Sequence, residues 1–178
     1  MSSEHVNPIS AGFASATDGT APLPVQADGL WLDDLVEQQT FRSDTYAVKP
    51  EEIAEFARRY DPQPFHLDEV QARGTFFDGL AASGWLTAAI TMRLLVASLP
   101  IATGIIGSDI SLKWPSATRA GDILHLEIRI NTIARSSSRP GRGSVGLGFE
   151  TVNQHGEVRQ QVTARLIAWQ RPRSAGSS

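Results

Sequence analysis

GLAASGWLTAAITMRLLVASLP, residues 79–100, decides how this chain folds. Between Leu80 and Leu99 the only charged residue is Arg93, and Pro100 closes the run. As a helix the stretch is about 30 Å long, at 1.5 Å per residue. That length reaches across a bilayer. Against a membrane span, Ser83, Gly84, Thr87, Thr91 and Arg93 dilute its apolar character, and no aromatic belts flank it. A helix that is apolar nearly all round is satisfied when its own protein wraps it. The repeated alanines and Gly84 let a sheet lie close against it.

The segments after Pro100 alternate with a period of two. In IIGSDISLKW, Ile106, Ile110, Leu112 and Trp114 share a face, with Ser108 the exception. In ILHLEIRI, Leu124, Leu126, Ile128 and Ile130 face one way and His125, Glu127 and Arg129 the other. SVGLGFETV groups Val145, Leu147 and Phe149; VRQQVTARLIAW groups Val158, Val162, Ala164, Leu166 and Ala168. PSATRAGD, SSSRPGRG and NQHGE are the turns between them. Four long strands with short links predict an antiparallel meander. Curled round the apolar helix, it gives an α+β domain. Before the helix, TFRSDTYAV reads as a strand or edge segment with Phe41, Ser43, Thr45 and Ala47 on one face. KPEEIAEFARRY opens on Pro50 and two acids, as a helix N-terminus does. Pro62 ends that helix by Tyr60 or Asp61.

The chain has 178 residues, 41% of them hydrophobic, which suits one soluble domain. A formal charge of −3 argues against a nucleic-acid binder. The absence of cysteine excludes disulfides, thiolate metal sites and a Cys nucleophile. Residues 1–28 are rich in Ala, Ser, Thr, Pro and Gly and contain no Lys or Arg, so neither a secretory signal nor a transit peptide is expected there. They read as a flexible arm, residues 29–170 as a single domain, and residues 171–178 as a flexible tail. A cytoplasmic location is the expectation.

YDPQPFHLDE, residues 60–69, places Asp61 and His66 five positions apart with two prolines between them. Extended, that spacing separates them by about 17 Å; Pro62 and Pro64 make a reproducible bend. Spacing leaves two readings open. Either Asp61 caps a turn and His66 begins the next helical stretch, or the bend aims both groups at one point. Ser83 and Gly84 stand at the start of the apolar helix, where backbone N–H groups lack internal partners. Gly84 serves either tight packing or the close approach of a ligand oxygen. His66, Asp68 and Asp61 offer three oxygen and nitrogen ligands, but no second histidine completes a metal set, and no metal is expected. His125 reads as a solvated surface residue. Arg135, Arg139 and Arg142 sit in a loop, either solvated or able to hold phosphates of a large substrate.

Taken together, YDPQPFHLDE, LAASGWLTAAITMRLL and ISLKWPSATRAGDILHLEIRI resemble the MaoC-like dehydratase family, which includes the (R)-specific enoyl-CoA hydratases. The Asp-x-x-Pro-x-His motif, followed by a small residue and Gly at a helix start, carries most of the likeness, and the Gly-Asp turn at Gly121 and Asp122 adds to it. The resemblance covers most of residues 31–169. It implies a hot-dog fold, a curved antiparallel sheet around one long central helix. It also implies a homodimer with active sites near the subunit interface, and an acyl-CoA thioester as substrate, with CoA entering as part of that substrate and no separate cofactor. By motif position, Asp61 and His66 are the expected catalytic pair and the Gly84 amide the oxyanion donor, with Ser83, Trp85 and Met92 shaping the substrate pocket. Three positions depart from the pattern. Ser83 stands where many members have His, Met92 where some hydratases have Ser, and Gln38-Gln39 where a glycine is common. The expected reaction is reversible addition of water to a trans-2-enoyl-CoA, giving a (3R)-3-hydroxyacyl-CoA. A hot-dog acyl-CoA thioesterase and a non-catalytic acyl-CoA-binding subunit are the alternatives.

Overall fold

A computed structural model describes residues 29–172. The expected arm (1–28) and all but two residues of the expected tail lie outside the described residues. In chain order the elements are β1 (Thr40–Arg42), β2 (Tyr46–Ala47), α1 (Pro50–Tyr60), α2 (Pro64–Leu67), α3 (Glu69–Ala72), α4 (Gly84–Ser98), β3 (Ile106–Lys113), β4 (Ile123–Arg135), β5 (Arg142–Val152) and β6 (Val158–Trp169). The strands form one antiparallel sheet in the order β1-β4-β5-β6-β3, with β2 also on β4. Curved around α4, it is the α+β hot-dog arrangement.

The alternation of the long strands sets the core. Leu124, Leu126, Ile128 and Ile130 of β4, Val145, Leu147 and Phe149 of β5, and Val162, Leu166 and Ala168 of β6 pack against Leu86, Ile90, Leu94 and Leu95 of α4. Two polar contacts tie α4 to its surroundings: Thr91 Oγ1 to Thr151 Oγ1 of β5 at 2.7 Å, and Thr87 Oγ1 to Thr118 Oγ1 in the connection between β3 and β4 at 2.9 Å.

The apolar run is not helical throughout. Leu80 to Ala82 stay out of the helix because their backbone groups bond to other elements: Leu80 N–H to Glu69 Oε2, Ala81 N–H to the Phe65 carbonyl, and Ala82 N–H to the Thr118 carbonyl. The 15 residues left in α4 span about 22 Å. Among the described residues no helix is long and apolar enough to cross a membrane.

Two face assignments and one exposure change. The TFRSDTYAV segment breaks at Ser43–Thr45, where the Ser43 hydroxyl and amide both bond to Leu126 of β4. The break reverses the buried side, so Tyr46 and Val48, not Thr45 and Ala47, enter the core. A bulge between Gly107 and Asp109 turns Ile106 to the face opposite Ile110 and Leu112; Ile110 and Trp114 keep the expected face, but β3 is an edge strand and both are exposed. His125 points away from the core as expected, yet it is only 8% exposed. It sits in a cleft of about 380 Å3 bordered by Arg42, Thr45, Glu127 and Asn153. Gln38, at the position where a glycine is common, takes φ 66° in a turn. The turn is tied to β4 by Gln38 N–H to the Ile130 carbonyl.

Candidate active site

The prolines bend the chain hard. Asp61 N–H closes α1 on the Ala57 carbonyl, Gln63 N–H reaches back to the Asp61 carbonyl, and His66 N–H to the Gln63 carbonyl. Pro64 begins α2, where a missing N–H costs nothing. The bend collapses the extended separation to a side-chain contact: His66 Nε2 lies 3.4 Å from Asp61 Oδ2. Asp68 turns away from the pair and caps α3, accepting from Val70 and Gln71 N–H.

The imidazole is buried, edge-on to the Phe65 ring at 4.5 Å. Its Nδ1 lies 2.7 Å from the Ala81 carbonyl oxygen. A carbonyl only accepts, so Nδ1 carries a proton and donates it. In the neutral ring Nε2 is therefore the acceptor facing Asp61. Burial works to raise the Asp61 carboxyl, but hydrogen bonds from Ser83 and Gln63, then the His66 charge, outweigh it and hold the group below its ordinary value. The Gln63 amide donates to Oδ1 at 2.7 Å.

Ser83 belongs to the same cluster. Its Oγ caps α4 by accepting from Trp85 N–H at 3.2 Å while its hydroxyl serves Asp61. Gly84 follows as the first residue of α4, so its N–H lies ahead of the intrahelical ladder. The glycine answers to packing as well. A Cβ there would stand 2.8 Å from Trp114 Cε2 and 3.0 Å from Cδ2. Trp114 Nε1 donates to Gln160 Oε1 at 2.8 Å, and its ring meets Trp85 edge-on at 5.5 Å. Gln160 is buried, and its Nε2 has no partner among the described residues.

Asp61, His66, Ser83 and the Gly84 amide thus come together. Trp85 stands at the edge of this cluster, largely exposed. Met92 is exposed on the outer side of α4, about 12 Å along the helix from Gly84. The arginine loop is elsewhere. Arg135 ends β4 twelve residues from Ile123, about 40 Å along the strand, and pairs with Asp33 at 2.8 Å. Trp114, Thr118, Arg119 and Gln160 join the site only through the fold. The Gly-Asp turn was the one sequence signal near three of them.

Fold and site together define a hot-dog domain with an acid–imidazole pair beside the amino end of its central helix. The chain belongs to the MaoC-like domain family, whose model matches residues 34–152, and that is a dehydratase/hydratase family. It is similar to the crystal structure of a MaoC-like dehydratase from Rhodospirillum rubrum, at 52% identity over 81% of this chain and 99% of that one, with a TM-score of 0.79. It is also similar to the (R)-hydratase from A. caviae involved in PHA biosynthesis, at 26% identity over 78% of this chain and 98% of that one, with a TM-score of 0.62. The R-hydratase PhaJ1 of Pseudomonas aeruginosa, at 21% identity, 84% and 94% coverage and a TM-score of 0.65, shares the fold. The uncharacterized protein YdeM of Bacillus subtilis (strain 168) is 35% identical over 79 residues, 44% of this chain; the match spans about half, 52%, of that relative.

Proposed function

We propose that the protein reversibly adds water across the double bond of a trans-2-enoyl-CoA, forming a (3R)-3-hydroxyacyl-CoA. The observation that carries this reading is the 3.4 Å approach of Asp61 Oδ2 to His66 Nε2 beside the start of α4. Both facing atoms are acceptors when Asp61 is ionised and His66 neutral. One water donating a proton to each satisfies both and keeps an oxygen lone pair for attack. Asp61 takes a proton from this water as its oxygen bonds to the β-carbon. The C=C electron pair moves toward the thioester, whose oxygen accepts from Gly84 N–H. Asp61 then returns the proton to the α-carbon, so hydroxyl and hydrogen have both been added and the acid is regenerated. His66, locked by Ala81, orients the water. The thioester itself makes the α-carbon a proton acceptor, and CoA enters only as part of the substrate.

The test is Asp61→Asn with crotonyl-CoA and longer enoyl-CoAs, followed by loss of enoyl absorbance. Turnover should fall about 10²–10⁴-fold. A folded variant with wild-type turnover removes Asp61 from the reaction. A thiol-reactive dye with saturated acyl-CoAs, in the same assay series, reports hydrolysis instead of hydration.

The reading includes a homodimer. Trp85, Met92 and Val96 form one exposed apolar stripe on α4, and Ile110 of edge strand β3 and Trp114 just after it are exposed on the side toward α4. The Trp85–Trp114 contact joins the two into a single patch. An unpaired strand edge beside an apolar helix face is what a second copy of this chain would cover.

A further inference from the structure

We infer that Arg119 is a positioning residue that sets the geometry of the candidate active site through the backbone of residues 77–84. The inference rests on the hydratase reading for its kinetic consequence only. Arg119 Nη1 donates to the carbonyl oxygens of Gly79 at 2.8 Å and Leu80 at 3.1 Å, and Nη2 donates to that of Phe77 at 2.6 Å. One planar fork therefore holds three carbonyls of a four-residue segment, a task suited to guanidinium and not to ammonium. Glu69 engages the same segment through its backbone donor, Oε2 accepting from Leu80 N–H at 2.8 Å. Gly79 lies between them. A Cβ on Gly79 would lie 3.5 Å from both Arg119 Nη1 and Glu69 Oε1, at a φ of 141° that side chains rarely adopt.

What this clamp holds is the segment that orders the site. The residue after Leu80 is Ala81, whose carbonyl fixes the His66 tautomer; Ser83 and Gly84 follow within three positions. The Thr118 carbonyl, next to Arg119, adds a fifth tie by accepting from Ala82 N–H at 2.9 Å. The clamp is itself anchored. Arg119 N–H donates to Asp122 Oδ2 at 2.8 Å, and Asp122 is gripped by Arg159 through Nε at 2.8 Å and Nη2 at 3.0 Å and by the Asn153 amide at 3.0 Å. The hairpin of β5 and β6 thus fixes the position of the Ala81 carbonyl and the Gly84 amide through a continuous chain of charged hydrogen bonds. Arg119 reaches the pair only through this backbone, so its effect is on geometry.

The experiment compares wild type, Arg119→Ala and Arg119→Lys by crotonyl-CoA hydration and by NMR of the His66 ring nitrogens. A displacement of about 1 Å lowers kcat about 10²-fold, so Arg119→Ala should lose about 10- to 100-fold in kcat with a smaller change in KM. Added guanidinium ion should restore part of the loss in Arg119→Ala and leave wild type unaffected. Arg119→Lys should fall between the two. The protonated Nδ1 signature of His66 should be present in wild type and weakened or lost in Arg119→Ala. If Arg119→Ala does not fold, Arg119→Lys carries both measurements. An unchanged His66 signature overturns the proposal, whatever happens to turnover or melting temperature; so does a kcat within about twofold of wild type in an active enzyme. If wild type hydrates no enoyl-CoA, the hydratase reading fails on its own, and the His66 signature still decides whether Arg119 positions the site.

Discussion

Gly84→Ala tests the tightest contact in the site. The added Cβ would lie 2.8 Å from Trp114 Cε2, 3.0 Å from Cδ2 and 3.1 Å from Cζ2. Carbon atoms rest about 3.5–4.0 Å apart, so the indole or the helix must retreat by about 1 Å. The indole is not free to do so at no cost: it donates to Gln160 Oε1 at 2.8 Å, and the Gln160 amide already has one unpartnered atom. Overpacking costs about 1–3 kcal/mol, and stranding the rest of a buried amide about 1–3 kcal/mol more. Replacing glycine by alanine in a helix returns about 0.5–1 kcal/mol. The net loss is about 1–5 kcal/mol, or a fall in melting temperature of about 2–20 °C for a chain of this size. Because the Gly84 N–H is the proposed oxyanion donor, a shift of the helix start by a similar distance should lower kcat about 10²-fold. Thermal denaturation and enoyl-CoA hydration, measured on the same preparation, separate the two effects. A Gly84→Ala protein with wild-type melting temperature and turnover would refute the reasoning, because it would show that Trp114 yields without cost.

Ser83→Ala removes both the cap on Trp85 N–H and the hydrogen bond to Asp61. Stability should fall by about 1 kcal/mol. With burial still raising the Asp61 carboxyl and one opposing bond gone, the acid limb of the pH–rate profile should move to higher pH; an unmoved limb contradicts the assignment of Asp61 as base. Asp122 is pushed up by burial, but Arg159, the Arg119 N–H and Asn153 together hold it below its usual value. It therefore contributes stability that is present above the unfolded pKa of about 4 and is lost as pH falls through the lower folded value. Asp122→Asn leaves the buried Arg159 short of its counter-charge and should cost about 3–5 kcal/mol at neutral pH in chemical denaturation; a loss under about 1 kcal/mol would show that Glu157 alone suffices. Ile110→Glu places a charge in the exposed apolar patch. Light scattering should find wild type at about twice the 19.2 kDa chain mass and the variant at 19.2 kDa; a monomeric wild type removes the dimer.

Much of this molecule was legible in one dimension because its determinants are local. Alternation with a period of two is a property of the chain itself, so the inward faces of β4, β5 and β6 could be read directly from Leu124 to Ala168. Pro50 and Pro100 mark ends that follow from backbone covalent geometry. The motif of Asp61 and His66 could be recognised, but spacing alone left both a capping role and a paired role open and favoured the capping one. Only the folded chain brings Asp61 within 3.4 Å of His66, because the bend at Pro62 and Pro64 becomes useful once Ala81 supplies the carbonyl that turns the ring. The same holds for the non-helical start of the apolar run. Leu80 to Ala82 lie in the same apolar run as the helix, but their backbone groups are claimed by Glu69, Phe65, Thr118 and Arg119 from three other segments. Exposure, too, was decided in three dimensions: β3 has the pattern of a core strand, and its place at the sheet edge leaves Ile110 and Trp114 uncovered. The sequence by itself determined which residues are apolar, where helices and strands can begin and end, and which acid and imidazole stand near each other along the chain. Tertiary structure decided which backbone groups are taken by distant partners, which faces find a neighbour and which side chains meet, because each of these depends on contacts between segments tens of residues apart.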